Sequence, residues 1–249
     1  MKRRHFLAGG IGIPLTASIA QAVGQTWRPQ TAAALCVGVA NYPGQLKLNT
    51  PLQDAKAVAR AFSDLGYSTH ISLDPTMDQL LDALAQFRVI ARDADLACIY
   101  IAGHGFMSGG EFRYLPVDHA SAQIALPERL FLRAIADKPR HKVLMIDACR
   151  QVPEALTALN TPQVHSPFSG LAGAYSAYAA QPGSPAFDGA SDHSPFADAL
   201  IDLLGRGPQD IDRFFQEVRV RVIRQTSGLQ IPWTRSSLLS PLSLQGRTV

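Results

Sequence analysis

Two residues in this 249-residue chain combine reactive side chains with a telling placement. The apolar run Asp95 to Ala102 (DLACIYIA) leads into Gly103-His104-Gly105. A second run, Lys142 to Ile146 (KVLMI), leads into Asp147-Ala148-Cys149-Arg150. The imidazole and the thiol are 45 residues apart. A thiolate is the nucleophilic form of cysteine, and near pH 7 the free thiol is mostly protonated. An imidazole can take that proton and return it to a leaving amine. The glycines beside His104 suit a tight turn and let a backbone N–H approach a substrate carbonyl closely. The amides of Gly105 and Cys149 are the natural oxyanion donors. Cysteines after apolar strands are commonly buried thiols, and six histidines lie beyond residue 22. The joint placement of His104 and Cys149 at two strand ends is therefore what points to nucleophilic catalysis.

The elements that must position this pair follow from periodicity. Ala32 to Ala40 (AAALCVGVA) is a buried strand closed by the turn Asn41-Tyr42-Pro43-Gly44. Leu52, Ala55, Val58, Ala59 and Phe62 recur at helical spacing and Gly66 ends that helix. Tyr67 to Leu73 reads as a strand. A helix starting at Asp74-Pro75-Thr76 carries the stripe Leu80, Leu81, Leu84, Phe87 and Ile90. Ile124 to Ala136 reads as a helix and Leu171 to Ala180 as a strand. Phe196 to Leu204 and Ile211 to Gln225 read as helices, and the tail near Leu238 and Leu239 as a last strand. Strands alternating with helices of this length predict an α/β fold with a mostly parallel sheet of about six strands, covered by helices on both faces. Ligands bind such sheets outside the carboxyl ends of the strands, where His104 and Cys149 fall. Gln151 to Ser169 and Gln181 to Ser194 are loop-like.

The N-terminus reads as an export signal occupying residues 1–22. Lys2, Arg3 and Arg4 precede an apolar or small stretch, Phe6 to Ala20, and Ala20-Gln21-Ala22 matches a cleavage site. That stretch is short for a membrane span. Arg3-Arg4-His5-Phe6-Leu7 resembles a twin-arginine signal, which implies a bacterial chain delivered to the periplasm. An ordinary secretory signal or an uncleaved anchor is the alternative. Residues 23–31 form a leader and residues 32–245 the single domain. Without residues 1–22, Lys plus Arg falls from 23 to 20 against 20 Asp plus Glu. The net charge is then zero, which argues against nucleic acid as a partner. No other run is long enough to span a bilayer. Of the three cysteines, Cys36 and Cys98 sit in apolar runs and read as small buried hydrophobes, with a disulfide between them open if their strands are neighbours.

The segment Tyr100-Ile-Ala-Gly-His104-Gly105 resembles the histidine motif of the caspase and metacaspase cysteine peptidases, and Asp147-Ala-Cys149-Arg150 resembles their cysteine motif. The caspase signature Gln-Ala-Cys-x-Gly, with its His roughly 50 residues upstream, is a close relative. This chain departs from it at Asp147 and Gln151. The likeness extends to Val37-Gly38-Val39-Ala40-Asn41-Tyr42, Leu52-Gln53-Asp54-Ala55, Tyr114-Leu-Pro-Val-Asp118, Ser176 to Gly183 and Ser194-Pro-Phe196. It covers about residues 32 to 240 and is closest to the bacterial, orthocaspase type.

The resemblance implies a three-layer caspase-like sandwich and a Cys149–His104 dyad. It also implies a pocket in which Asp147 and Asp54 receive Arg or Lys from a protein substrate, where true caspases carry basic residues and prefer Asp. Two carboxylates suit a cation, and Arg bidentately. The family's substrate-binding strand maps to Tyr178, Ala180, Gln181 and Gly183, along which a peptide would lie as an added strand. Asp54 is also readable as a helix cap. Metacaspases often need calcium, held by aspartates that do not map here; Leu156 stands where one acid is expected. No zinc spacing is present, so no cofactor is expected. Self-cleavage after Arg150 or in the following loop is conceivable in this family. Three other readings stay open: a catalytically silent interaction module on the same fold, another Cys–His amidase or acyltransferase, and a nucleotide-binding α/β protein, for which no Gly-rich phosphate motif is found. Oligomeric state is not legible.

Overall fold

A computed structural model describes residues 26–119, 125–135, 139–150, 171–189 and 192–246. The signal segment 1–22, Leu156 and the loop after Arg150 lie outside the described residues. Six strands form the central sheet: β1 (Ala32–Gly38), β2 (Ser68–Leu73), β3 (Leu96–Ala102), β7 (His141–Asp147), β8 (Ala174–Tyr178) and β9 (Trp233–Ser236). Their order is β2-β1-β3-β7-β8-β9, parallel except for the β8–β9 pair. The strands β1, β3, β7 and β8 are buried on both faces, which is why they read as continuous apolar runs rather than alternating ones.

The helices lie on both faces. On one, α1 (Pro51–Asp64), α4 (Pro195–Leu204) and α5 (Ile211–Gln225) bury Phe62, Phe196 and Phe215 with Cys36, Cys98 and Tyr100. On the other, α2 (Met77–Ile90) and α3 (Glu128–Ala134) bury Leu80, Phe87 and Phe131 against Leu35, Val37 and Ile99. Each fully buried Phe or Leu contributes roughly 1.5–3 kcal/mol. Thr76 and Gln79 close a capping box at the start of α2. Its buried face is Leu80, Ala83, Leu84 and Phe87, whereas Leu81 and Ile90 of the expected stripe are exposed.

Three details correct the sequence-based reading. The helix expected from Ile124 begins only at Glu128. Within the described residues, Leu126–Pro127 is strand β6, because Pro127 takes an extended backbone and lacks the N–H a helix interior needs. β6 joins β4 (Gly105–Ser108) and β5 (Glu111–Tyr114) in a small antiparallel sheet, a hairpin not anticipated. The last strand is Trp233–Ser236 rather than the Leu238–Leu239 tail, and Leu239 is exposed. The leader is tied in: Trp27 N–H donates to Pro241 O at 2.9 Å and Trp27 O accepts from Ser243 N–H at 2.8 Å. β1 and β3 are neighbours, but Cys36 faces Tyr100 and Cys98 faces Ala34, and all three cysteines are free thiols. Among the described residues no helix is long and apolar enough to cross a membrane.

Candidate active site

Register brings the two reactive residues together. β3 and β7 pair with Ala102 opposite Asp147, and Gly103 N–H donates to Asp147 O at 3.2 Å. The chains therefore leave the sheet side by side, one carrying His104 and the other Cys149. Both line a cavity of about 60 Å3 with Leu48, Thr50, Asp54, Asp147, Ala186 and Asp188. That is room for a handful of waters.

His104 is held by the segment after β1. Its Nε2 lies 2.7 Å from Leu46 O, so Nε2 carries the proton and Nδ1 is the basic nitrogen. Its backbone N–H donates to the Tyr42 hydroxyl at 2.8 Å. Burial holds the imidazole below its ordinary pKa, and nearby His119 acts in the same direction. Cys149 is half-buried, whereas Cys36 and Cys98 are buried and their thiols are pushed far up by burial. The Cys149 thiol donates to Ala186 O and accepts from Ala186 N–H, each at 3.3 Å. The N–H and the C=O of one residue, Ala186, thus both sit on the sulfur.

The carboxylates come from three elements. Asp147 ends β7 on the same face as Tyr100 of β3. Its Oδ2 accepts from Tyr100 OH at 2.8 Å and from Ser194 Oγ at 2.6 Å. Ser194 is also the cap of α4, accepting from Ala197 N–H at 2.9 Å. Asp54, in the first turn of α1, is buried; its Oδ1 lies 2.8 Å from His193 Nδ1 and accepts from Ser194 N–H at 3.3 Å. It is therefore a junction residue between α1 and α4 rather than a surface cap. Burial raises Asp54 to about 6, against hydrogen bonds from Thr50, His193 and Ser194. Burial, then the charge of Asp54, raises Asp147 to about 7. Asp188 faces the same cavity, anchored by Asn49 N–H at 2.6 Å, Thr50 N–H at 3.1 Å and Thr50 Oγ1 at 2.7 Å.

The sequence profile described as Caspase domain matches residues 31–243. The chain belongs to the caspase-domain family. That family is one of cysteine peptidases. A relative is the human mucosa-associated lymphoid tissue lymphoma translocation protein 1, 26% identical over 122 residues, which are 47% of this chain. The match spans only 15% of the human protein's length.

Other expected residues of the caspase-like site are placed differently. Tyr178 and Ala180 are fully buried and do not line the cavity. β8 is paired on both sides, by β7 and β9, so Tyr178 offers no free edge. Its hydroxyl donates to buried Glu128 at 2.6 Å, and the Arg150 guanidinium lies 3.9 Å over its ring. Ala180 O accepts from Arg150 Nη1 at 3.4 Å, and Gly183 N–H donates to Arg150 O at 3.1 Å. Gln181 and Gly183 are at the surface outside the cavity. The stretch beside Cys149 is instead Ala186 to Asp188. Gly105 opens β4 opposite Tyr114 and is not part of the cavity lining. Among the described residues no group of three or more His, Cys, Asp or Glu is arranged to hold a metal ion.

Proposed function

We propose that this chain is a cysteine endopeptidase that cleaves after Arg or Lys, with Cys149 as nucleophile and His104 as general base and acid. The observation that carries the reading is the single cavity lined by Cys149, His104, Asp54, Asp147 and Asp188. A nucleophile, a base and a group of acids around one space suit a cationic side chain whose neighbouring carbonyl is attacked.

In the proposed reaction, Cys149 Sγ adds to the scissile carbonyl carbon as its proton passes to His104 Nδ1. The amides of Gly105 and Cys149 are the expected oxyanion donors. As the C–N bond breaks, His104 gives its proton to the leaving amine, leaving a thioester on Cys149. Water, deprotonated by His104, then releases the acid and restores the thiol. Leu46 O supports this role because it fixes the tautomer with Nδ1 free. Burial keeps His104 neutral at pH 7, ready to accept a proton. The Arg or Lys of the substrate would meet Asp147, Asp54 and Asp188, whose ionised forms it stabilises. The Ala186 backbone on Cys149 has to give way first, because its C=O and N–H hold the sulfur's donor and acceptor positions.

The test is hydrolysis of matched peptide amides ending in Arg, Lys or Asp, by wild type and Cys149→Ala, with and without calcium. Cleavage after Arg or Lys that disappears in Cys149→Ala is the expected result. Cleavage unaffected by Cys149→Ala sinks the mechanism, and no cleavage under any condition favours an interaction module on this fold. We infer, separately, export to the periplasm from residues 1–22. A full-length chain that stays cytoplasmic on fractionation, with its N-terminus intact, overturns that inference.

A further inference from the structure

Tyr42 follows β1 in the turn Asn41-Tyr42-Pro43-Gly44 and is 3% exposed. Its hydroxyl both accepts and donates a hydrogen bond. It accepts the backbone N–H of His104 at 2.8 Å and donates to Leu115 O at 2.9 Å. His104 and Leu115 flank the β4–β5 hairpin, and Leu115 N–H donates to His104 O at 3.0 Å. One phenol therefore clamps the hairpin at its base. The Tyr42 ring also packs against the His104 imidazole, with centroids 4.5 Å apart, and His119 meets it edge-on at 5.3 Å.

The turn that carries Tyr42 is itself fixed. Asp74 holds a left-handed backbone, φ 45°, and its Oδ1 accepts from Ala40 N–H at 2.8 Å and Asn41 N–H at 3.0 Å. Its Oδ2 accepts from Asn41 Nδ2 at 2.6 Å. Four residues after Tyr42, the same segment supplies Leu46 O to His104 Nε2. His104 is thus held at its backbone, its ring face and its Nε2 by one stretch of chain. A residue that only filled space would need the ring and not the hydroxyl. Among the described residues the hydroxyl is the side-chain partner of the His104 amide, which sets the origin from which the imidazole projects.

We propose that Tyr42 is a positioning residue for His104, its hydroxyl fixing the backbone of residue 104 and its ring fixing the imidazole plane. The proposal deepens the reading of His104 as the base that serves Cys149, and rests on it. Misplacing a catalytic group by about 1 Å costs on the order of a hundredfold. Tyr42→Phe keeps the ring and removes the clamp.

Two measurements on the full chain test it. The first is the pH profile of Cys149 alkylation by iodoacetamide, localised by mass spectrometry, which needs no substrate. The second is steady-state hydrolysis of an Arg peptide amide. Tyr42→Phe is expected to lower kcat about tenfold with KM changed by less than about twofold. Its alkylation profile should move toward that of His104→Ala. Wild-type kcat and an unchanged alkylation profile in Tyr42→Phe would overturn the proposal. Should Tyr42→Phe not fold, trifluorotyrosine at position 42 keeps size and shape while making the oxygen a weaker acceptor. A shift in the alkylation profile is then expected, and its absence overturns the role. If wild type cleaves no peptide, the peptidase reading fails, but the alkylation profiles still decide Tyr42.

Discussion

The imidazole Nε2 of His104 lies 2.7 Å from the backbone carbonyl of Leu46. The interaction is made by the main chain, so the Leu46 side chain, which is half exposed, takes no part in it. Leu46→Ala should therefore leave kcat/KM within about twofold of wild type. Removing the imidazole in His104→Gln should lower kcat by on the order of 10^2 to 10^4. Steady-state rates on one Arg peptide amide check both. A large loss in Leu46→Ala would mean that the side chain, not the carbonyl, matters.

Asp54 and Asp147 share one cavity and both titrate high, at about 6 and about 7, because burial disfavours their ionised forms. From the ordinary value of 3.8 up to these values, the unfolded chain has released protons that the folded chain retains. The unliganded fold is thus expected to lose stability as pH rises through that window. A guanidinium reverses the preference, because it stabilises both carboxylates. kcat/KM for an Arg substrate should rise from pH 5 to 8, most steeply at about 6 to 7. Asp147→Asn should flatten that rise. An equally steep rise with a substrate lacking the cation would assign it to the dyad instead.

Gly103, between β3 and His104, has φ 148°, and a Cβ there would lie 2.7 Å from Tyr42 Oη and 3.0 Å from Val39 O. Both neighbours are held: the Tyr42 hydroxyl by its bonds to His104 N–H and Leu115 O, and Val39 by its N–H bond to Ala102 O. Gly103→Ala should cost about 1–3 kcal/mol of stability and displace His104. Calorimetry and kcat measured on the folded protein check this. A variant with wild-type Tm and kcat would show that the turn tolerates the added carbon.

The strands and the His104–Cys149 pair were legible because buried parallel strands leave uninterrupted apolar runs, and a run's end marks a sheet edge. Asp147 was named from the family resemblance, as the acid two positions before Cys149. The hairpin of β4 and β5 was not, because Gly105 to Tyr114 is too short and too mixed to show a period. Ala186 and Asp188 fall in a Pro- and Gly-containing loop, where position is set by hydrogen bonds to Cys149 and to the start of α1 rather than by periodicity. The Leu46 contact has no signature at all, since every residue carries a carbonyl. The substrate edge at Tyr178 and Ala180 was expected from the family resemblance alone, and a motif match does not reveal that β9 pairs along β8.

At the opposite end of the sheet, His141 opens β7 and is buried, and among the described residues neither ring nitrogen has a hydrogen-bond partner. Its ring lies 4.4 Å from that of Trp27, over which the Arg140 guanidinium sits at 5.6 Å. Burial, then the charges of Arg140 and Lys142, depress His141 to about 4. The folded state thus favours the neutral ring, while the unfolded chain binds a proton near the ordinary value of 6.5. Stability from this site is complete above about 6.5 and is lost as pH falls toward 4. His141→Phe preserves the packing on Trp27 and has no proton to bind. It should raise Tm at pH 5 relative to wild type by more than it does at pH 8. Parallel Tm curves for the two proteins across that range would show that acid sensitivity arises elsewhere.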